Sequence, residues 1–344
     1  MHPSRRARAH VSGEAMTDTD AFAPPVDAGA VRAAPAPVLL HVGFHKTGST
    51  WLQNHLFADP RRFAMPATPR HRLVEDLVVP DPLAFDPAGA AAAYAAPLAD
   101  ARAAGLTLVL SHERLSGYPS SGGRDRVTIA ERLAAAFPQA RVLIVIREQR
   151  ALIGSMYRQH ITDGGVESLG RFLDTPEPSL CRKPSFTTDF YAFDRLVALY
   201  HRLFGEDRVL VLPVENLARD PQGFADAIAR LCGGPALPIV PAARANQRRP
   251  LMMQLVQRPF NLLFYHNELS PGALLHITRF HKRYARLLPA FERLSPPPLE
   301  RWLARRLDRA IAARIGDLYA ESNARTERLT GLDLAALGYP VARG

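Results

Sequence analysis

The side chains best suited to chemistry lie in one short turn, where a lysine stands among glycines and hydroxyl groups. Residues 38–42 form a mostly apolar run that is typical of a buried parallel strand, and Gly43 and Gly48 permit a tight backbone after it. The hydroxyl residues 49–50 stand where a helix would begin. Backbone N–H groups at a helix start, with the helix dipole behind them, favour a phosphate or sulfate group. The turn therefore predicts an anion site that includes Lys46.

The position of the lysine argues against a binding loop for nucleoside triphosphates. That loop reads G-x-x-x-x-G-K-[ST], so its lysine directly follows the second glycine. Here the two glycines keep the same separation, but Ser49 occupies the lysine position and Lys46 lies earlier, inside the turn. Trp51 follows, and its flat ring could stack on a nucleotide base. The alternative interpretation is an ordinary strand–turn–helix with a solvated lysine.

A second apolar run, residues 141–146, ends in Arg147 and leads into a helical pattern over residues 148–159 that contains Ser155. Ligands of a parallel sheet collect at the carboxyl ends of its strands, so this motif and the Lys46 turn are expected at the same edge. A guanidinium group and a hydroxyl group both suit a phosphate. The alternative is that Arg147 pairs with a surface carboxylate while Ser155 faces solvent.

Together these motifs resemble the sulfotransferase family, whose enzymes use 3′-phosphoadenosine 5′-phosphosulfate (PAPS). Residues 43–51 look like that family's 5′-phosphosulfate loop, and Arg147 with Ser155 match its 3′-phosphate pair at the family's spacing. Residues 243–249 resemble, more loosely, the basic segment that closes over the nucleotide, and residues 318–334 are similar to the tail of bacterial members.

The resemblance implies an α/β, P-loop-like sulfotransferase fold with a mostly parallel central sheet, flanking helices and a helical C-terminal portion. It implies PAPS as the cosubstrate and no metal. The backbone and hydroxyl groups of residues 47–50 are expected to hold the 5′-phosphate. The residues that the resemblance assigns to the nucleotide are His45, Lys46, Thr47, Gly48, Ser49, Thr50, Trp51, Arg147, Ser155, Arg248 and Arg249.

Sulfuryl transfer needs a cation beside the departing phosphate and a base beside the acceptor proton. Lys46 is the predicted cation. His112 and Glu113 follow a predicted strand over residues 106–110, so either could serve as the base, and alternation along the chain lets only one face the pocket. His112 ranks slightly ahead because an unperturbed histidine titrates near neutral pH. The alternative is that Glu113 pairs with an arginine and His112 packs in a loop. His45 is a third candidate, although the turn is expected to aim it at structure.

Strands and helices alternate along the chain, which predicts a mostly parallel sheet covered by helices on both faces. The remaining predicted elements are a first helix over residues 49–57, a helix over residues 190–204, and a strand over residues 208–212 before a helix that ends near Cys232. Residues 59–96, rich in proline and alanine, are expected to form loops and short helices over the mouth of the site. The C-terminal portion is predicted to be helical, with breaks at its prolines.

The composition fits one large domain preceded by a flexible leader. The chain has 344 residues, of which 47% are hydrophobic, so it can bury a full core. Residues 1–36 lack hydrophobic periodicity and the apolar core of a signal peptide, which predicts a flexible leader before a sulfotransferase domain over residues 37–344. The sequence contains no candidate membrane span, which favours a cytoplasmic enzyme without stable membrane insertion. Its two cysteines, Cys181 and Cys232, argue against a disulfide framework.

The net charge of +10 suits anionic ligands in general. Arginines dispersed over residues 301–314 are interpreted as a solvated helix face, with recognition of an acidic acceptor as the alternative. Zinc-finger spacing, RNA-binding aromatic motifs and basic zippers are absent from the sequence, so nucleic acid is not an expected partner. The expected partner is a small-molecule or glycan acceptor. Two other functions stay open: an ATP-dependent phosphotransferase (kinase) on a P-loop fold, and a non-catalytic binder of anionic polymers.

Overall fold

The computed structural model describes residues 38–174, 186–234, 236, 238–239, 250–264 and 295–343. The leader predicted over residues 1–36 lies outside these ranges, as do Cys181, Arg248 and Arg249. Within them, no helix has the length and apolar character that crossing a lipid bilayer requires.

Five parallel strands form the central sheet in the order β2-β3-β1-β4-β5. They are β1 Val38–His41, β2 Phe63–Ala64, β3 Thr107–Ser111, β4 Arg141–Ile146 and β5 Val209–Pro213. β1 lies at the position where the chain passes from β3 on one side to β4 on the other, and ligands of such sheets bind beyond the carboxyl ends of the strands there. The predicted parallel sheet is confirmed, with β2 as a short edge strand that the sequence did not indicate.

The first helix, α1 Ser49–Trp51, continues directly into a π-helical turn over Leu52–Leu56. The other helices are α2 His71–Leu77, α3 Pro87–Ala92, α4 Ala95–Ala103, α5 Arg126–Ala136, α6 Gln149–Thr162, α7 Leu169–Leu173, α8 Phe193–Phe204, α9 Val214–Arg219, α10 Pro221–Leu231, α11 Leu251–Phe264, α12 Pro297–Ile315 and α13 Ala320–Thr330. Short 3₁₀ turns cover Glu113–Ser116, Pro119–Ser121, Thr188–Tyr191, Glu206–Arg208 and Ala335–Leu337.

Alternate residues of the strands face two separate apolar layers, because a buried parallel sheet must be covered on both faces. Leu40 and Val142 face the larger layer, to which α5, α6 and α8 contribute. Leu39 and Leu143 face a smaller layer built with the π-helical turn and α10. The prediction of a sheet with helices on both faces is therefore confirmed.

Within the described ranges the predicted helices are present, and two of the differences at their borders have local reasons. The helix expected from Phe190 begins at Phe193, because the preceding residues form a separate 3₁₀ turn and Ala192 leaves the helical region with ψ 88°. The prolines at 296–298 start α12 instead of only breaking a helix, since proline fits the first helical turn. Residues 59–96 form short helices and loops as expected, together with β2.

The C-terminal residues hold the start of α6 in place. Asn323 on α13 is fully buried and exchanges two hydrogen bonds with Gln149, at 2.6 Å and 3.2 Å. It also donates to the carbonyl oxygen of Pro340 at 2.8 Å. Because Gln149 lies two residues after Arg147, this buried contact fixes the backbone next to the predicted phosphate-binding arginine.

Candidate active site

The turn after β1 has an unusual backbone at two positions. Gly48 has a φ of 88°, and a Cβ atom there would lie 3.1 Å from the Val214 side chain. Lys46 also has a positive φ, 67°, which is unfavourable for a residue that carries a Cβ atom. Strain of this kind persists only where the surrounding structure enforces it, and it concentrates at functional sites. The backbone is therefore consistent with a functional role for Lys46.

Four consecutive N–H groups in this turn, those of residues 45–48, donate to no backbone or side-chain acceptor in the described part of the chain. Helix α1 begins directly after them, with no side-chain cap and no acidic residue in its first turn. Unpaired N–H groups at the start of a helix attract an anion, because they carry the positive end of the helix dipole. The turn therefore leaves a set of donors open to an external phosphate or sulfate.

The three hydroxyl groups of the turn differ in what they can offer a ligand. Ser49 Oγ is buried and has no hydrogen-bond partner among the described residues, while Thr50 is exposed. Thr47 is fully buried, and its hydroxyl donates to the carbonyl oxygen of Phe44 at 2.5 Å. In this structure the hydrogen of the Thr47 hydroxyl is used inside the turn, and the backbone N–H of Thr47 is open. The role of Thr47 in holding the 5′-phosphate stays a prediction.

Lys46 is one of only three lysines among the 43 lysine and arginine residues of the chain. Its Nζ donates to Oε1 of Gln159 on α6 at 2.5 Å. Lys46 is exposed as a residue, but partial burial of its ammonium group lowers its pKa, while the charges of Asp163 and Glu113 act in the opposite direction. A partly desolvated ammonium group interacts more strongly with a nearby negative charge than a fully hydrated one. This environment suits a cation that must respond to charge on a ligand.

Arg147 joins the second predicted motif to the first. One of its guanidinium nitrogens, Nη1, donates to the carbonyl oxygen of Lys46 at 3.1 Å. Ser155 lies on α6 one helical turn before Gln159, so it shares the helix face that contacts the lysine. Its side chain is partly exposed. The two motifs, separated by about a hundred residues in the chain, thus meet at one edge of the sheet, as expected from the topology.

The backbone N–H groups at the start of α6 are capped by a side chain of the protein. The Glu148 carboxylate accepts hydrogen bonds from the backbone N–H groups of Arg150 and Ala151, at 3.1 Å and 2.8 Å. It also pairs with the Arg150 side chain at 2.8 Å. Because a carboxylate already occupies this helix end, an added anion would have to bind through side chains such as Arg147 and Ser155.

His112 and Glu113 both follow β3 and emerge at the same sheet edge, as predicted from their strand. The Nδ1 atom of His112 accepts a hydrogen bond from the backbone N–H of Arg114 at 3.1 Å. A backbone N–H can only donate, so the neutral His112 ring carries its own hydrogen on Nε2. Neither ring nitrogen is then available to accept a further proton without breaking that contact. Burial also lowers the pKa of His112.

Glu113 is placed differently with respect to the lysine. Its negative charge acts on Lys46 and on His45. Burial opposes ionisation of the carboxyl group, but a hydrogen bond to its own backbone and the neighbouring histidines outweigh burial, so the pKa of Glu113 is lowered. The side chain retains 39% of its exposure. Glu113 is therefore an ionised, reachable carboxylate within electrostatic range of Lys46.

A buried chain of hydrogen bonds beneath the turn was missed by the sequence analysis. Arg70 Nη1 donates to Oε1 of Gln53 at 2.7 Å, which orients the amide so that its nitrogen donates to Ser111 Oγ at 2.9 Å. Ser111 Oγ in turn lies 2.7 Å from Nδ1 of His41. The sequence held a signal for this series of hydrogen bonds. His41 is polar within an otherwise apolar strand, and Ser111 ends the neighbouring strand in register with it.

The last group in this series of hydrogen bonds is the His41 ring, which lies under the turn. Burial lowers the pKa of His41 to about 4, so the ring is neutral near pH 7. Ser111 Oγ accepts from Gln53, and His41 Nδ1 is the one acceptor that the described residues offer its hydrogen. The hydroxyl is therefore fully used in the tautomer that carries the imidazole hydrogen on Nε2. Nε2 is buried without a partner in the described structure, 2.7 Å from where a Cβ atom of Gly43 would lie, and Ser49 Oγ is 3.2 Å from that same point. Two unpartnered polar atoms therefore flank the base of the turn.

The other predicted residues have less distinctive surroundings. The His45 ring lies 5.9 Å from the Tyr118 ring, and burial lowers the pKa of His45 to about 4. Trp51 is half-buried, with its ring 5.6 Å from that of His55. Groups of histidine, cysteine and acidic residues that could hold a metal ion are absent from the described ranges.

Residues 126–238 match a family model described as the sulfotransferase family, and this stretch contains β4, Arg147 and Ser155. Among solved structures, the chain is similar to a sulfotransferase from Alicyclobacillus acidocaldarius, with 20% identity and a TM-score of 0.45 over 67% of this chain and 93% of that one. It is also similar to the sulfotransferase domain from the Synechococcus PCC 7002 olefin synthase, with 20% identity and a TM-score of 0.36 over 58% of this chain and 74% of that one. No curated protein has a detectable sequence match to the chain.

Proposed function

We propose that this chain, whose residues 126–238 match the model of the sulfotransferase family, takes its sulfuryl group from PAPS and transfers it to a hydroxyl or amine acceptor. The products are the sulfated acceptor and 3′-phosphoadenosine 5′-phosphate (PAP). The family match supports sulfuryl transfer in general; the donor, the acceptor class and the residue roles are the proposal.

The observation that carries the proposal is the set of open donors in the turn after β1. The N–H groups of residues 45–48 have no internal acceptor among the described residues, and the Ser49 hydroxyl below them is buried without a partner. A tetrahedral group with several oxygens, such as the 5′-phosphosulfate, would satisfy these donors together. Lys46, which lies within the turn, supplies the positive charge.

Arg147 and Ser155 are the proposed contacts for the 3′-phosphate. The guanidinium group is anchored on the carbonyl oxygen of Lys46 at 3.1 Å, which keeps it at the border of the turn. A nucleotide that carries charge at both its 5′ and 3′ positions would then bridge the two strand ends. ATP has no 3′-phosphate for this arginine, and the turn has no lysine directly after Gly48 for a triphosphate. The kinase alternative is disfavoured on both grounds.

In the proposed reaction, Glu113 takes the proton from the acceptor while Lys46 stabilises charge on the departing phosphate. The acceptor oxygen or nitrogen forms a bond to sulfur as the bond between sulfur and the 5′-phosphate oxygen breaks, in line. Glu113 is preferred over His112 as the base, because the carboxylate is ionised while the His112 ring already uses its Nδ1. His112 remains an alternative that the same variants test.

The experiment that tests the donor is a thermal-shift comparison of PAP with ATP and Mg²⁺, followed by acceptor screening with radiolabelled PAPS. PAP is expected to raise the Tm well above the shift that ATP gives, because only PAP fills both the turn and the Arg147 site. Equal shifts for the two nucleotides, or Mg²⁺-dependent ATP turnover, would contradict the proposal. Salt-sensitive polymer binding that Lys46→Ala leaves unchanged, with no response to PAP, would favour the non-catalytic alternative.

The expected location and partner belong to the same proposal. A small-molecule or glycan acceptor in the cytoplasm, without membrane insertion, accords with the sequence. Cell fractionation and sulfated-product analysis in the native host would check it, and recovery of the enzyme with the membrane fraction would contradict it.

A further inference from the structure

A basic cavity of about 540 Å³ lies apart from the turn and from Arg147. Helix α8 forms one wall, and the loop before α5 with the first residues of that helix forms another. Its charged lining consists of four arginines and one carboxylate: Arg124, Arg126, Arg195, Arg202 and Asp189. None of the residues assigned above to PAPS or to catalysis lines it. The cavity is therefore a separate feature of the surface.

The positive charge of this cavity is only partly balanced. Asp189 lies 3.4 Å from Arg195. No other carboxylate of the described residues lies within ion-pair distance of Arg124, Arg126 or Arg202. Four like charges around one cavity repel each other, and an anionic ligand would relieve that repulsion.

Arg126 is held rigidly within this cluster. Its guanidinium carbon lies 4.7 Å from the centre of the Phe190 ring, and Nε donates to the carbonyl oxygen of Gly123 at 3.3 Å. Burial lowers the pKa of Arg126 and the charge of Arg195 lowers it further, while the charges of Asp189 and Asp125 act in the opposite direction. A guanidinium group that is already oriented loses little conformational freedom when a ligand binds, so it favours binding.

Helix α8 sets the spacing of the other wall. Arg195, Ala198, Leu199 and Arg202 follow the i, i+3, i+4, i+7 pattern and therefore share one helix face. The two arginines are about 10 Å apart along the axis, at 1.5 Å of rise per residue. The small and apolar residues between them leave room for the body of a ligand. A ligand with a single charge would reach only one of these cations.

We propose that the cavity binds an anion that carries at least two phosphate, sulfate or carboxylate groups, held between the arginines of α8 and those at the start of α5. Guanidinium groups bind all three kinds of oxyanion through paired N–H donors. The site is independent of PAPS, so it would persist even if the proposed donor were wrong.

The test uses tripolyphosphate and citrate as probes, measured by isothermal titration calorimetry on the full chain with PAP at saturating concentration. The cavity variant is Arg195→Gln with Arg202→Gln, and the matched control is Arg301→Gln with Arg305→Gln on the exposed face of α12. The affinity of at least one probe is expected to fall by about tenfold or more in the cavity variant only, since each lost pair of charged hydrogen bonds contributes substantially.

Three results would overturn the proposal. They are the absence of binding by both probes, equal losses in the cavity and control variants, and binding abolished by Lys46→Ala but kept in the cavity variant. Arg124→Gln provides an independent second variant on the opposite wall, which should also weaken the probe. Both α8 arginines are exposed, and circular dichroism would verify that each variant is folded.

Discussion

After β1 and after β4 the chain makes the same passage from a buried parallel strand into a helix, but the two helix starts are treated in opposite ways. The start of α1 has no side-chain cap, and the N–H groups before it have no acceptor in the described ranges. The start of α6 is capped by its own Glu148 carboxylate, which accepts two backbone hydrogen bonds. The helix start after β1 is therefore incomplete, because the N–H groups before it lack acceptors, whereas the helix start after β4 is complete, because a side chain caps it.

This difference accords with the different tasks that we propose for the two motifs. An incomplete helix start gains from an external anion, so it suits the reacting 5′ end of a nucleotide. A capped start gives a fixed platform for the contacts to the 3′-phosphate that we propose for the side chains of Arg147 and Ser155. The stabilisation of α6 by Glu148 and by the buried pair of Gln149 and Asn323 supports that view. The contact from Arg147 to Lys46 then couples the fixed platform to the strained turn.

The largest effect is expected from removing the ammonium group of Lys46 in the turn after β1. Lys46→Gly should lower the turnover of PAPS by about 10²–10³-fold, since charge on the departing phosphate loses its nearest cation. Glycine also tolerates the φ of 67°, so the variant should have a Tm at or above that of Lys46→Ala, which lacks the ammonium but keeps the strain. Turnover and Tm would be measured on both variants. Full turnover in either variant would remove Lys46 from the mechanism.

The next effect concerns the strand end after β3. Glu113→Gln should lower kcat/KM by about 10²-fold, whereas His112→Asn should cost much less, as expected for a base that is the carboxylate. The lowered pKa of Glu113 keeps the base ionised at neutral pH, and activity is lost only as the pH falls through that lowered value. The wild-type profile of kcat/KM should therefore stay flat down to about pH 5. A larger loss in His112→Asn would identify histidine as the base.

A paired test addresses the contrast between the two helix starts directly. Ser49→Ala should weaken PAP binding by about tenfold while leaving the Tm nearly unchanged, because it removes a donor that has no partner in the described structure. Glu148→Ala should do the reverse, lowering stability by about 1 kcal/mol through loss of the cap with little effect on PAP affinity. Calorimetric titration and thermal melts check both variants. If the two variants lose affinity and stability in the same proportion, the contrast between the turns is not functional.

The smallest expected effect is that of the buried chain of hydrogen bonds under the turn. His41→Phe keeps a ring that can pack on Phe57, whose ring centre is 5.3 Å away, but removes both ring nitrogens. PAP affinity should fall by about threefold, and the Tm should drop because Ser111 and Gln53 lose their continuation. The added change Ser111→Ala should recover part of the Tm but none of the affinity. Recovery of affinity as well would assign His41 a purely structural role.

Much of the fold and part of the site follow from the sequence. Apolar runs near residues 38, 106, 141 and 208 gave the strands, since parallel strands are buried on both faces and contain few polar residues. Two motifs, one with the glycines at 43 and 48 and the other with the arginine at 147, each follow a predicted parallel strand. The topology alone therefore places both at one edge of the sheet. The two-residue strand β2 could not be predicted, because so short a segment has no periodicity of its own.

The details of the site depend on side-chain partners that a linear sequence does not reveal. Thr47 and Ser49 are both hydroxyl residues of one turn, yet one hydroxyl is used by Phe44 and the other is left open. One reason for preferring Glu113 over His112 as the base is that a backbone N–H two residues later donates to His112 Nδ1, a contact that the sequence does not show. Arg70, Gln53, Ser111 and His41 come from four separate segments, so only the folded chain brings them into one hydrogen-bonded series.

The most direct measurement of the central claim is the ratio of PAP affinity to 5′-AMP affinity, which isolates the 3′-phosphate, in the wild type, in Arg147→Ala and in Arg141→Ala. Arg141 lies at the opposite end of the same strand, where it pairs with Asp207, and serves as the matched control. We expect the wild type and Arg141→Ala to prefer PAP by about tenfold or more, and Arg147→Ala to abolish the preference. A ratio unchanged in Arg147→Ala, or near one in the wild type, would contradict that claim.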